Sequence, residues 1–201
     1  MPNFDALRSA IIGPLEYLCK RQPPAELLGL WTLQGSLNDL SRYGRNLAGS
    51  PSYTNTDPIY SNGFTFALNA ISLQDFSFDF LVQSGNYRPT SQWIYTNIWS
   101  FGVENYYGDC LTFIDEEGTK LAGPVYGYTH IAVARKSGTV RFYKDGNKLA
   151  SFESATPLTS INMNFGSSGG KICNLRITSK GLGNASSFPV PQTLYTGYEV
   201  L

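Results

Sequence analysis

From Leu28 onward the hydrophobic residues recur with a period of two, the mark of strands that bury one face. Phe76, Phe78, Phe80 and Val82 alternate with Ser77, Asp79 and Leu81, which predicts a half-buried strand with an aromatic row turned to the core. Ile131 and Val133 alternate with His130, Ala132 and Ala134, and Ser137-Gly138 then offers a tight turn into Val140 and Phe142. Asp145-Gly146 tolerates positive φ and returns the chain through Lys148 to Phe152, so three strands make a meander. Ile161, Met163 and Phe165 alternate with asparagines, and Cys173, Leu175 and Ile177 alternate with Asn174, Arg176 and Thr178. Ile94 to Phe101 reads as one strand, with Tyr95, Trp99 and Phe101 on one face and Ile94, Thr96 and Ile98 on the other. Both faces are apolar enough to be buried.

The start of the chain keeps a different period. Phe4, Leu7 and Ile11 recur at three and four behind an Asn3 N-cap, and Gly13-Pro14 should break or kink the helix they imply. Leu15 and Leu18 can carry one more turn before Pro23-Pro24 stops it. The expected organisation is a helical appendage over residues 1–25 and a β-domain over residues 26–201. The appendage either packs on its own sandwich or anchors the domain to another subunit. Short strands separated by Gly, Pro, Asn and Ser, without intervening helices, predict antiparallel sheets packed face to face. No repeat of fixed period suggests a propeller or solenoid.

Composition narrows the functional classes. Hydrophobic residues make up 42% of the chain and charged residues 15%, enough apolar material for an independent core. Fifteen basic residues balance fifteen acidic ones, so no global field draws the chain to nucleic acid or an anionic membrane. No apolar run is long enough to span a bilayer, and the first twenty residues lack the pattern of a signal peptide. Cys19, Cys110 and Cys173 have no metal-binding spacing and are expected as free thiols, which fits assembly in a reducing cytoplasm.

Candidate chemistry is sparse. His130 is the single histidine and has no nucleophile motif beside it. Paired carboxylates in an E-x-D-x-x-E strand are absent, and Asp115-Glu116-Glu117-Gly118 reads as a hairpin turn between Phe113 and Leu121. Asp39, Asp57, Asp109 and Asp115 could contribute to a calcium cage, though their spacing matches no continuous loop; no other cofactor is expected. Trp93, Tyr95, Trp99, Tyr106 and Tyr107 crowd one region with Asn86, Asn97 and Asn105. Flat apolar faces beside amides suit sugar or protein recognition, although packing would use the same rings.

The run from Tyr128 to Arg135, with Ser137 to Gly146 after it, resembles the aromatic-x-His-hydrophobic-Ala strand and the Tyr-x-Asp-Gly strand end of laminin G-like domains. Leu30 to Leu33 with Leu37-Asn38-Asp39, Phe76 to Leu81, and Gly170 to Ile177 with Gly181-Leu182-Gly183 are similar to the framework strands of that family. The resemblance implies an all-β, antiparallel jelly-roll β-sandwich of the concanavalin A-like type. This fold serves lectins, glycosidases, adhesion modules and viral appendages alike. The expected function is a non-catalytic structural or adhesive protein, such as a bacteriophage tail, fibre or capsid component, assembled in the host cytoplasm. It would join a homo-oligomer or other virion proteins through residues 1–25 and could bind a cell-surface glycan. A stand-alone carbohydrate-binding module is the alternative, and a glycoside hydrolase of the same fold comes third.

Overall fold

The computed structural model describes residues 26–33, 35–53, 61–83, 91–104, 110–115, 120–124, 128–165 and 171–190. The expected N-terminal helix lies outside them. Among the described residues thirteen strands run in chain order: β1 Leu27–Trp31, β2 Ala48–Tyr53, β3 Ser61–Leu68, β4 Phe76–Gln83, β5 Ser91–Thr96, β6 Trp99–Glu104, β7 Cys110–Asp115, β8 Lys120–Pro124, β9 Tyr128–Lys136, β10 Thr139–Lys144, β11 Asn147–Glu153, β12 Ile161–Phe165 and β13 Lys171–Thr178. Every pairing is antiparallel. The first sheet has the order β11-β10-β9-β4-β13-β1, and the second β3-β12-β5-β6-β7-β8 with β2 on the outer side of β3. Among the described residues one pairing, Ile172 with Ser61, joins the two at a corner.

The sheets close on a shared aromatic core. Phe78 meets Trp99 at 5.7 Å between ring centroids and Phe80 meets Phe101 at 5.3 Å, both edge to face across the sandwich. Trp31 packs edge-on against Phe66, and Phe64 stacks on Phe165. These rings come from the inward positions of alternating strands, so the period of two places the core as expected. The fold is an all-β, antiparallel β-sandwich.

Two sequence expectations change. Ile94 to Phe101 is a hairpin, β5 into β6, instead of one strand. The Thr96 hydroxyl donates to Trp99 O at 2.7 Å and accepts from Trp99 N at 2.9 Å, a side-chain clasp that folds the chain at Asn97-Ile98. Ile94 therefore faces Phe101 on the core side, while Tyr95 faces Ser100 outward. The strand β4 is buried on both faces instead of one: Ser77 and Asp79 are as inaccessible as Phe76 and Phe78.

The cover on that second face is the segment after β13. Phe188 is buried against His130 and Tyr143, with Ala132, Ala134 and Leu182 around it. The strap is tied down by Leu182 N to Ser77 Oγ at 2.6 Å, Tyr143 Oη to Asn184 O at 2.7 Å, and Phe188 N to Gly146 O at 2.8 Å. The first sheet is thereby closed on both sides at its centre.

Candidate functional site

With the outer face of the first sheet covered, the outer face of the second is where exposed side chains line up. Strand register sets the rows: Thr65 lies between Ala48 and Asn164, and Asn162 lies between Ala67 and Tyr95. Alternation in β12 sends Ile161, Met163 and Phe165 into the core and leaves Asn162 and Asn164 exposed. Ala48 and Ala67 are small, so the floor between the rows is low. The result is an open groove of about 750 Å³ bounded by Arg45, Asn46, Thr65, Asn69, Asn162 and Asn164. The side-chain amides of Asn69, Asn162 and Asn164 make no hydrogen bond within the described residues, so donors and acceptors stand open there.

One end of the groove is built by the loop between β1 and β2, wound around Asp39. Its Oδ1 accepts from Leu30 N at 2.9 Å and Ser41 N at 2.8 Å; its Oδ2 accepts from the Ser41 hydroxyl and Arg45 N, both at 2.7 Å. Asn46 Oδ1 accepts from Asp39 N at 2.9 Å. Held this way, Arg45 lays its guanidinium 4.3 Å from the Tyr43 ring centroid and donates to Leu28 O. Arg45 is the one charged residue lining the groove among the described residues.

A second polar cluster lies under the strap. Arg176 grips Asp79 with Nε to Oδ1 at 2.8 Å and Nη2 to Oδ2 at 3.3 Å, and His130 Nε2 meets Oδ2 at 3.2 Å. Neighbouring strands β13, β4 and β9 supply the three, all buried. Burial opposes ionisation of Asp79, but the His130 hydrogen bond and the Arg176 charge outweigh it and hold the carboxyl below its ordinary range. His130 Nε2 faces the Asp79 carboxylate, and its other ring nitrogen, Nδ1, is buried with no hydrogen-bond partner among the described residues.

The aromatics singled out from the sequence scatter. Trp99 is 3% exposed and packs on Phe78, which removes it from any binding surface. Tyr95 is 45% exposed and flanks Asn162 beside the groove. The side chain of Trp93 and all of Asn86, Asn105, Tyr106 and Tyr107 lie outside the described residues. Asn97 braces the neighbouring loop, donating to Pro157 O and accepting from Thr159 N, both at 2.8 Å. Of the calcium candidates, Asp39 is engaged by the four donors above, Asp115 ends β7, and Asp57 and Asp109 lie outside the described residues. No three His, Cys, Asp or Glu side chains gather as a metal cage among the described residues. Cys173 is a core thiol; Cys19 and the side chain of Cys110 lie outside the described residues. Sequence reading passed over Arg45, Asn46, Asn69, Asn162 and Asn164. The alternation in β12 carried the signal for the last two.

No protein-family model matches the chain, and no curated protein does. Among solved structures it is similar to domain 4 of AbnA, a GH43 extracellular arabinanase from Geobacillus stearothermophilus, in complex with arabinotriose. That match has a TM-score of 0.57 at 14% identity and covers 82% of this chain and 94% of the arabinanase domain. The chain shares that β-sandwich fold. It is also similar to the Trypanosoma rangeli sialidase, with a TM-score of 0.50 and 13% identity over 81% of this chain; the chain spans only 32% of the sialidase. These likenesses agree with the β-sandwich expected from the sequence and lend no support to a bacteriophage setting. They overturn the expectation of a protein outside enzymology, because both neighbours belong to glycoside hydrolases. The missing E-x-D-x-x-E strand excludes one arrangement of carboxylates and not the class.

Proposed function

We propose that the chain is a carbohydrate-recognising β-sandwich module of the kind that glycoside hydrolases carry, binding an oligosaccharide along the outer face of the second sheet. The observation that carries the reading is the amide groove, where Asn69, Asn162 and Asn164 stand open beside the exposed Tyr95. Amides pair with both the donor and acceptor sides of sugar hydroxyls, and a tyrosine ring offers its face to the C–H side of a pyranose. The arabinotriose bound to the arabinanase domain supports the same reading.

Calorimetric titration with arabinotriose and a panel of plant and animal oligosaccharides tests it, with released reducing ends followed in parallel to separate recognition from turnover. Saturable binding that is lost in the Asn162→Ala/Asn164→Ala variant is the expected result. A panel without a binder overturns the proposal.

Residues 1–25 enter it as the contact through which the module joins a larger assembly. Deleting them should leave a folded β-domain of lower mass by light scattering, and an unfolded product would assign them to the domain's own core instead.

A further inference from the structure

The groove carries a charge preference, and this inference rests on the glycan-binding reading above. We infer that its ligand is an anionic oligosaccharide, with Arg45 taking a carboxylate or sulfate and Asn162 and Asn164 taking hydroxyls of the same chain. Among the described residues Arg45 is the one charged residue that lines the groove, and it brings a positive charge there although the whole chain is neutral. Its nearest acidic neighbour in the loop, Asp39, does not line the groove and has both oxygens occupied by Leu30, Ser41 and Arg45 amides and the Ser41 hydroxyl.

The guanidinium is also preorganised. Its Cζ lies 4.3 Å from the Tyr43 ring centroid, and Leu28 O takes one donor of its five, so the group is held from two sides. No carboxylate forms an ion pair with it among the described residues. Arg45 is half-buried, so an anion paired with it is screened less than at an open surface. A neutral sugar would leave the remaining planar donors to water, whereas a carboxylate or sulfate matches their fork.

Matched pairs test this by calorimetry: oligogalacturonate against its methyl ester for the carboxylate, and sulfated lactose against lactose for the sulfate. In at least one pair the anionic member should bind on the order of tenfold more tightly, with the advantage shrinking between low and physiological salt. Arg45→Gln should erase the advantage. Because Arg45 also braces its loop, Asn164→Asp provides a second reading: this exposed position keeps the fold, and the new charge should weaken the anionic member more than the neutral one. Equal binding of both members overturns the charge inference and leaves the glycan-binding reading standing. So does an advantage indifferent to both substitutions. If neither member of either pair binds while neutral sugars of the wider panel do, the charge inference alone fails; if nothing binds, both fail.

Discussion

At the scale of single residues, Asp79 has the most demanding position in the molecule. A carboxylate without water is tolerated only when its lone pairs and charge are met, and Arg176 and His130 meet them from the strands on either side. Asp79→Asn removes the carboxylate charge that the buried Arg176 grips and should cost about 3–5 kcal/mol in urea unfolding at neutral pH. Because the folded-state pKa of Asp79 lies below the ordinary 3.8, its contribution is complete above that value and disappears as the pH falls through the lower folded-state value. The stability gap between wild type and variant should therefore close only in strong acid; a gap that closes already near pH 6 would mean Asp79 is not held ionised. Alternation in the sequence set Asp79 on the face opposite Phe78 and Phe80. It gave no sign that Arg176, 97 residues away, would arrive beside it. His130 likewise was legible as a strand position and not as a partner of Asp79.

At the scale of elements, the local chemistry of tight turns was readable and side-chain clasps were not. Ser137-Gly138 and Asp145-Gly146 both have positive φ at each residue, 52° and 88° in the first and 48° and 80° in the second, the geometry that two-residue hairpins favour. The two glycines nevertheless differ in surroundings. An added Cβ at Gly138 would meet only Glu153 Oε2, at 3.6 Å, so Gly138→Ala should cost about 1 kcal/mol from backbone strain alone. At Gly146 the Cβ would come within 2.9 Å of Val190 Cγ2 and 3.2 Å of Phe188 O, so Gly146→Val should cost about 2 kcal/mol or more, as strain and a displaced strap add. Thermal unfolding compares the two; equal losses would show that the strap does not rest on this turn. The hairpin at Thr96 escaped the pattern because its fold is set by one hydroxyl, and no glycine or proline announces it.

At the scale of the whole molecule, a period of two states which residues share a face but not whether something else covers that face. The inner surfaces of both sheets followed from alternation, whereas the strap was invisible in it because residues 181–190 lack a repeating pattern of their own. The candidate groove was half legible, through the exposed asparagines of β12, while Arg45 reaches it by way of a loop that only the folded chain brings there. Phe188→Ala opens the buried ring contacts with His130 and Tyr143 and should lower stability by about 3 kcal/mol. Faster hydrogen exchange at Leu182 and Phe188 amides should accompany the loss; protection unchanged there would mean that the strap is held by its backbone bonds without the ring.

The unequal covering of the two sheets also bears on how such a chain can change over generations. On β4, β9 and β13 nearly every side chain is packed or hydrogen-bonded on both surfaces, so a substitution there is paid in folding. On β3 and β12 the alternate positions Thr65, Ala67, Asn162 and Asn164 are exposed, and the one side-chain hydrogen bond among the four is the long one from Thr65 Oγ1 to Ala48 O at 3.5 Å. Ligand preference can therefore drift, one exposed side chain at a time, across a surface whose alteration leaves the scaffold intact.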